Sequence, residues 1–310
     1  MTQIHRGSAS LTGGPFVVTI GNFDGVHLGH QALVEATVVR AQALGASSCA
    51  YTFDPHPRTL LQPDCAPPQI QTVDYRSALL VELGIDVVVV ETFTLPFSKR
   101  SAEWFAREVI EKRLNAVEIV VGYDYRFGAD REGDIELLME LLPDMPITKV
   151  SPVMVGDKAA SSSRIRESVA EGRVSDAAAM MGRDFSVVGR VVHGESRGKE
   201  LGFPTANLEI IGLHPANGVY VVQVELPEAS DSPVWGVANL GVQPTFNGRR
   251  FCAEIHLLDY DGDLYGKELT VYFVDRIRSE RKFYSAKELV ERIEVDILQA
   301  RELIRCREDG

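Results

Sequence analysis

The first half of the chain alternates short apolar runs with segments that mix polar and apolar residues. The apolar runs predict buried strands at residues 16–18, 48–53, 87–90 and 117–121. The mixed segments predict helices at residues 31–44, 73–83 and 101–114, the last with Ser101 as its N-cap. Strands that are separated by helices favour an α/β fold with a parallel sheet, whose ligands bind beyond the carboxyl ends of the strands.

The second half lacks helices between its strands. Five strands are predicted, at residues 185–192, 218–226, 234–240, 251–258 and 269–274. Turn-forming pairs such as Asn247-Gly248 and Asp261-Gly262 separate them, which favours an antiparallel β-barrel or a sandwich. The stretch Asn239–Thr245 is interpreted as part of a turn.

A terminal helix completes the second half. Ser285 and Glu288 form a capping-box pattern, and an apolar stripe follows that would dock on the strands. The stripe consists of Leu289, Ile293, Ile297, Ala300 and Ile304. The change of pattern predicts two domains, residues 1–183 and 184–310.

Composition narrows the class of protein. The chain has 310 residues, 45% hydrophobic and 25% charged, which is typical of a globular protein. A net charge of −12 argues against a general nucleic-acid binder, because such binding depends on neutralising phosphates. Four scattered cysteines fit a reducing compartment, and no apolar run predicts a signal peptide or membrane span. We expect a cytoplasmic protein without nucleic-acid or membrane partners; its oligomeric state stays open.

The string G-N-F-D-G-V-H-L-G-H follows the first strand and precedes the first helix. Gly21, Gly25 and Gly29 permit a tight turn and a close approach of a ligand to the backbone. His27 and His30 are three residues apart, so both side chains can lie on one face of the first helical turn. Beside the free amides of a helix start they suit a nucleotide phosphate. The alternative is a tight turn with two solvated histidines.

Three more motifs in this half follow a strand or begin a helix. Asp54 and His56 lie in a proline-rich corner, and Asp124 and Phe127 lie in an aromatic loop bounded by glycines. Hydroxyl groups and an arginine begin a later helix, where they suit an anion. These residues are Ser162, Ser163 and Arg166. The alternatives are a structural turn, a solvated loop with buried aromatics, and ordinary helix capping.

The second half carries its own candidate phosphate loop, from Gly194 to Asn207. Its glycines and basic residues, including Gly198 and Lys199, could wrap phosphates, and Thr205 offers a neutral oxygen to a hard cation, as does Asn207. The spacing is not that of a Walker A motif, and a hairpin loop is the alternative.

Three further candidate stretches follow that loop. Glu254 shares a strand face with Cys252 and His256, and the residues alone favour solvent exposure for it. The stretch 278–283, which includes Arg278 and Glu280, is compatible with a charged surface loop. The aspartates at 259, 261 and 263 lack EF-hand spacing and predict a hairpin turn.

These motifs, in this order, resemble the prokaryotic bifunctional riboflavin kinase/FAD synthetase family. The matching strings include G-N-F-D-G-V-H-L-G-H, F-D-P-H-P, G-Y-D-Y-R-F-G, S-S-S-R-I-R, G-F-P-T-A-N-L and E-I-H. The resemblance implies a nucleotidylyltransferase-like first domain that adenylylates FMN to FAD. It implies a barrel-shaped second domain that phosphorylates riboflavin to FMN, with ATP as co-substrate of both reactions and Mg²⁺ as the metal.

The resemblance also implies roles for single residues. In the first domain, His27, His30 and Arg166 would act on the phosphates. The remaining nucleotide-binding residues would be Gly21, Asn22, Phe23, Gly29, Ser162 and Ser163, and the flavin-binding residues Asp54, His56, Asp124 and Phe127. In the second domain, Glu254 would be the general base. ATP would be bound by Gly198, Lys199, Thr205 and Asn207, the last two also holding Mg²⁺, and the flavin by Arg278 and Glu280.

Three departures and two alternatives accompany the resemblance. Tyr125 stands where the family usually has Phe, Ala160 where it often has Ile or Val, and Lys199 where Arg is common. One alternative function is a transferase that uses another acceptor, with a barrel that only positions it. The other is a non-catalytic flavin-binding or regulatory protein, against which the presence of both histidines and of Glu254 argues.

Overall fold

The computed structural model describes residues 3–194, 198, 201–210, 212–226, 233–245 and 248–309. Contacts between Cα atoms divide the chain into two compact units, Met1–Ser162 and Ser163–Gly310. Each unit has its own sheet and its own apolar core, and each is described by itself.

The first unit is built on a parallel sheet. Within the described residues it has six strands in the order β1-β4-β3-β2-β5-β6. The strands are β1 Gln3–Arg6, β2 Phe16–Ile20, β3 Ser47–Asp54, β4 Val87–Thr92, β5 Ala116–Gly122 and β6 Ile147–Val150. A small antiparallel pair, β7 Met154–Val155 and β8 Lys158–Ala159, follows. The prediction of a parallel sheet is confirmed, and the structure adds the two edge strands β1 and β6.

Helices cover both faces of this sheet. They are α1 Leu28–Leu44, α2 Pro57–Leu61, α3 Val73–Glu82, α4 Leu95–Ser98, α5 Ala102–Trp104 and α6 Ile135–Leu141, with a π-helix at Phe105–Arg113. Ser101 accepts a hydrogen bond from the Trp104 amide at 3.2 Å, so the predicted N-cap is confirmed. The π-helix continues the helix over the predicted segment with wider hydrogen bonding.

Alternate residues of the central strands enter two different cores. Val18 packs in a cluster with Phe105, whereas Val17 packs in one with Ala41 of α1. Because both faces are covered, the central strands are continuous apolar runs instead of alternating ones. Because of this burial on both faces, the central strands could be predicted from the sequence as apolar runs.

An ion pair between the exposed Arg40 and the buried Glu118 connects α1 to the sheet. Arg40 donates to both carboxylate oxygens of Glu118 at 2.7–2.9 Å, and Thr148 donates to the same carboxylate at 2.7 Å. Burial opposes the charge of Glu118, but the hydrogen bonds from Arg40 and Thr148 outweigh it and lower the pKa of the carboxyl group. The pair therefore favours an ionised Glu118 in the folded protein.

The second unit contains a closed antiparallel barrel with the strand order β10-β13-β12-β11-β14-β9. Its strands are β9 Phe185–Val192, β10 Ala206–Ile210, β11 Gly218–Glu225, β12 Val234–Thr245, β13 Gly248–Leu257 and β14 Glu268–Ser279. The barrel alternative is confirmed. Two local predictions are wrong: β10 was not predicted, and residues 239–245 continue β12 instead of forming a turn.

The terminal helix, α9 Ala286–Glu308, covers part of the outer surface of the barrel. Ser285 accepts a hydrogen bond from the Glu288 amide at 3.1 Å, as its capping pattern predicts. Ala300 and Ile304 of α9 pack in a cluster with outward valines such as Val219. The predicted docking of the apolar stripe is confirmed for these residues.

Two helices, α7 Ser162–Ala170 and α8 Val174–Met181, precede the barrel. Contacts group them with the barrel, apart from Ser162 itself. Arg276 of β14 donates to the Glu171 carbonyl at 3.2 Å, and the Ala216 amide donates to the Val169 carbonyl at 3.2 Å. This division differs from the predicted boundary after residue 183, which stays a prediction. Across the described chain, no helix is both long and apolar enough to span a membrane.

Candidate functional sites

The turn between β2 and α1 is strained and tightly held. Phe23 and Val26 have φ angles of 50° and 37°, which are unusual for residues with bulky side chains. Both side chains are fully buried, and the Val26 amide donates to the Phe23 carbonyl at 3.1 Å. Backbone strain of this kind persists where the surroundings hold it in place, and it concentrates at functional sites.

The structure brings the two predicted histidines together at the start of α1. His27 is the N-cap, and its Nδ1 accepts a hydrogen bond from the His30 amide at 3.4 Å. The two imidazole rings stack with centroids 3.7 Å apart and planes 20° from parallel. Gly29 makes this possible, because a Cβ there would lie only 3.1 Å from the His27 ring. Two imidazoles thus flank the positive end of a helix.

Asp24 braces this turn, and the sequence analysis missed it. Its buried carboxylate accepts hydrogen bonds from the amides of Ile70 and Gln71 at 3.1–3.2 Å. Its carbonyl accepts a hydrogen bond from the Ser162 hydroxyl at 2.7 Å. An aspartate between Phe23 and Gly25 in the motif was the available signal.

Asn22 and Gly21 are fixed from the neighbouring strand. The Gly21 amide donates to the Tyr51 carbonyl at 3.1 Å, and the Thr52 hydroxyl donates to the Asn22 carbonyl at 3.2 Å. A Cβ on Gly21 would lie 3.2 Å from the ring of Phe23. The predicted nucleotide-binding turn is therefore held by β3.

Arg76 of α3 is a second residue that the sequence did not indicate. It is fully buried and donates from Nη2 to the Phe53 carbonyl at 2.6 Å. Burial lowers the pKa of its guanidinium, and the charges of Asp24 and Asp54 counteract that effect. It therefore supports the carboxyl end of β3, where the predicted flavin-binding corner begins.

That corner holds Asp54 and His56. Asp54 ends β3 and accepts a hydrogen bond from Arg6 at 3.5 Å. His56 is buried and caps α2, with its Nδ1 accepting from the Arg58 amide at 3.2 Å. Both lie at the carboxyl edge of the sheet, as predicted.

The two predicted flavin-binding residues in the aromatic loop after β5 lie in different environments. Asp124 is exposed just beyond the strand. Phe127 is buried and stacks on Tyr125, with centroids 5.4 Å apart, and it packs near Phe105 at 5.9 Å. The structure thus gives Phe127 a packing role, and its contact with a flavin stays a prediction.

The predicted anion residues of α7 lie at its start. Ser162 is its first residue and is bound to the Asp24 carbonyl within the first unit. Ser163 and Arg166 follow in the first two turns and are grouped with the second unit. Their roles stay predictions.

In the barrel, strand register aligns the central candidates. Asn207 of β10 lies opposite Glu254 of β13, and Glu254 lies opposite Asn239 of β12. The residues that flank Glu254, Ala253 and Ile255, are buried inside the barrel, so Glu254 points outward. Directly opposed residues on antiparallel strands have Cβ atoms about 5 Å apart. Glu254 is half-buried, so the preference for full solvent exposure is not what the structure shows.

Two glycines of the preceding loop lie close to the side chains of Thr205 and Asn207. A Cβ on Gly198 would lie 3.0 Å from the Thr205 hydroxyl, and one on Gly194 would overlap the Asn207 carboxamide. The Cys252 thiol also lies 3.6 Å from the carboxamide oxygen of Asn207. The structure therefore places Gly198 beside Thr205 and Gly194 beside Asn207, and phosphate binding at this position stays a prediction. Lys199 lies outside the described residues.

A cavity of ≈ 460 Å³ adjoins Thr205. Strands supply one wall through Ile255 and Leu257, and the loop from Tyr260 to Tyr265 supplies another. That loop contains Asp261 and Asp263, two of the three aspartates for which a hairpin turn is predicted. Among the described residues, no cluster of three or more His, Cys, Asp or Glu is arranged to hold a metal ion.

The two predicted flavin-binding residues of the barrel, Arg278 and Glu280, bind different partners. Arg278 donates from Nε and Nη2 to the carboxylate of Asp296 in α9, at 2.7–3.0 Å. Glu280 accepts a hydrogen bond from Asn217 at 3.0 Å and covers Gly241 of β12, where a Cβ would lie 2.8 Å from its carboxylate. Arg278 therefore anchors α9, whereas Glu280 lies beside the face that carries Glu254.

Comparison with family models assigns a different activity to each half. The FAD synthetase model matches residues 12–164, and the riboflavin kinase model matches residues 181–304. The first match contains the β2–α1 turn with its two histidines. The second contains the entire barrel and most of α9.

Curated relatives match nearly the whole length. The bifunctional riboflavin kinase/FMN adenylyltransferase of Escherichia coli (strain K12) is 37% identical over 306 residues, covering 97% of both chains. The protein of that name from Pseudomonas fluorescens is 37% identical, covering 93% of this chain and 92% of its own.

Among solved structures, a crystal structure described as a macrolide-efflux protein from Streptococcus pneumoniae has a TM-score of 0.87 and 32% identity. It covers 97% of this chain and 98% of its own. The fold is thus shared across both units. The efflux description concerns the Streptococcus protein, whereas the family models and the curated relatives agree on flavin chemistry.

Proposed function

The chain belongs to the bifunctional riboflavin kinase/FMN adenylyltransferase family, and from this premise we propose which residues carry each reaction. The C-terminal domain phosphorylates riboflavin to FMN with ATP, and the N-terminal domain adenylylates FMN to FAD. The observation that carries the assignment is the order of the two family matches along one chain, the first over strands β2 to β6 of the parallel sheet and the second over the whole barrel.

For adenylylation, we propose that His27, His30 and Arg166 stabilise the phosphates. A phosphate oxygen of FMN attacks the α-phosphorus of ATP, the bond to the β-phosphate breaks, and pyrophosphate leaves. Every reactant is anionic, so positioning and charge stabilisation carry the reaction and no covalent nucleophile is needed. The stacked imidazoles at the N-terminus of α1 support this role.

The remaining contacts of the first domain are proposals of the same kind. The turn held by β3 and Asp24 would bind the nucleotide, through Gly21, Asn22, Phe23, Gly29, Ser162 and Ser163. The corner and loop at the carboxyl edge would bind the flavin, through Asp54, His56, Asp124 and Phe127.

For phosphorylation, we propose that Glu254 is the general base. Its carboxylate accepts the proton of the riboflavin 5′-hydroxyl as that oxygen attacks the γ-phosphorus of ATP and ADP leaves. Its position opposite Asn207, beside the glycine-bearing loop, supports this role. Gly198, Lys199, Thr205 and Asn207 would bind ATP, whose nucleoside part fits the cavity beside Thr205. Arg278 and Glu280 would border the flavin.

The residues at this position suit Mg²⁺. Thr205 and Asn207 present neutral oxygens, the donors that a hard cation prefers, and glycines at 194 and 198 let the loop backbone approach these residues closely. The ion would supply charge neutralisation on the ATP phosphates. We also propose a cytoplasmic location, which four free cysteines support.

Two variants test the assignment of one reaction to each domain. With purified protein, ATP and Mg²⁺, Glu254→Gln should abolish FMN formation from riboflavin but leave FAD formation from supplied FMN unchanged. Replacing both His27 and His30 by Ala should do the reverse. Glu268→Gln, an exposed residue of β14, is the matched control for the barrel and should leave both reactions intact. FAD synthesis that survives the double histidine replacement would remove that assignment.

A further inference from the structure

Three outward side chains form one row across the barrel. Asn207, Glu254 and Asn239 occupy directly opposed positions on β10, β13 and β12. The residues on either side of Asn239, Ala238 and Leu240, are fully buried, so Asn239 points outward and is exposed. Neighbouring strands lie about 4.8 Å apart, so the row presents polar groups at regular steps along the outer surface.

The row has a direction. Its β10 end faces the phosphate side, because the Asn207 carboxamide touches Gly194 of the loop and Thr205 borders the cavity. Its β12 end lies beside Glu280, a proposed flavin-binding residue, whose carboxylate covers Gly241, two residues from Asn239 on the same strand face. The acceptor must therefore extend from Glu254 toward β12.

We propose that Asn239 binds the hydroxyl next to the one that is phosphorylated, and so selects acceptors with a polyol chain. The inference rests on the proposed role of Glu254 as the base. Riboflavin carries a ribityl chain in which the 4′-hydroxyl adjoins the reacting 5′-hydroxyl. One strand step separates Glu254 from Asn239, so adjacent side chains meet adjacent hydroxyls.

The chemistry of a carboxamide suits this task. It can donate to an alcohol oxygen or accept an alcohol proton, so it binds a hydroxyl in either orientation. It adds no charge beside Glu254, whereas a carboxylate at the same position would oppose ionisation of the base. Beyond Asn239 the row continues to Val219, which is buried beneath α9, so Asn239 is its last polar member in this direction.

The test combines one substitution in the protein, Asn239→Ala, with one change of acceptor. Riboflavin and 4′-deoxyriboflavin are compared as acceptors for the full-length protein and for Asn239→Ala. We expect kcat/KM for riboflavin to fall about 2- to 12-fold on substitution, the worth of one neutral hydrogen bond. With 4′-deoxyriboflavin as acceptor, the substitution should leave kcat/KM unchanged. If its turnover is too slow, its inhibition constant against riboflavin is compared in the same way.

Equal losses with both acceptors would overturn the inference, because Asn239 would then act on Glu254 or on the fold. No loss with riboflavin would also overturn it. Gln223→Ala, on the outer face of β11 and about 14 Å further along the barrel, is the matched control and should leave both acceptors unaffected. Far-UV circular dichroism and thermal unfolding followed through Trp235 check that the barrel of each variant is intact. A parent protein that makes no FMN would instead reject the proposed kinase function.

Discussion

Replacing Tyr125 by Phe should stabilise the N-terminal domain. The Tyr125 hydroxyl is buried and makes no hydrogen bond to any described residue. Burial raises the pKa of this hydroxyl, so it stays protonated and carries a donor without an acceptor. Its ring stacks on Phe127, with centroids 5.4 Å apart, and a phenylalanine ring can keep that contact.

The magnitude follows from two opposing terms. An unsatisfied buried polar group costs about 1–3 kcal/mol. Removing one oxygen forfeits a few dispersion contacts of about 0.1–0.2 kcal/mol each. The net gain is about 1 kcal/mol, which corresponds to about 2–4 °C in the melting temperature of a domain of this size.

Tryptophan fluorescence can isolate the relevant domain. The chain has two tryptophans, Trp104 in the first unit and Trp235 in the barrel. In a Trp235→Phe background, thermal unfolding followed through Trp104 reports on the first unit alone. Tyr123→Phe is the matched control, because Tyr123 is exposed and its substitution should leave the melting temperature unchanged. A Tyr125→Phe melting temperature equal to or below that of the parent would refute the reasoning.

Three further predictions concern the two sites and one ion pair. Gly29→Ala places a methyl group 3.1 Å from the His27 ring, so FAD formation from FMN should fall at least about tenfold while FMN formation persists. Gly194→Ala overlaps the Asn207 carboxamide, so the opposite selectivity is expected in the same two assays. The folded-state pKa of Glu118 lies below its ordinary 4.5, so its contribution to stability is complete above that value. That contribution should be lost as the pH falls through the lowered pKa, as measured by urea unfolding between pH 3 and pH 7.

Each of these has an outcome that contradicts it. Loss of both activities in either glycine variant would indicate misfolding instead of a local clash. Glu118→Gln serves as the control for the ion pair and should show a weaker dependence of unfolding free energy on pH than the parent. An equal dependence would mean that other carboxyl groups dominate.

The sequence predicted most of the fold because the strands are apolar on both faces in one domain and alternate in the other. It missed β1 and β6, since short edge strands of mixed composition carry no periodic signal. It missed β10 because Thr205 and Asn207 were interpreted through a loop motif, although Asn207 belongs to a strand.

The candidate sites were predicted in part. His27 and His30 could be paired from their spacing, because helical geometry brings residues three apart together. Asn239 could not be placed, since its proximity to Glu254 depends on register between strands β12 and β13. Arg76 and Asp24 were missed for a related reason: their partners are backbone groups of distant segments, at Phe53 and at Ile70 and Gln71.

The barrel closes on itself, whereas the parallel sheet ends at β1, a strand of four residues paired with β4. Beneath that cover lie four consecutive valines, Val87–Val90. Proteolytic removal of the first six residues would expose the edge of β4. Its unpaired amides and carbonyls lie on a segment with high β propensity, a pattern that promotes self-association. We therefore expect β1 to protect β4 from pairing with other chains, and preparations that lack β1 should precipitate before they lose catalytic activity.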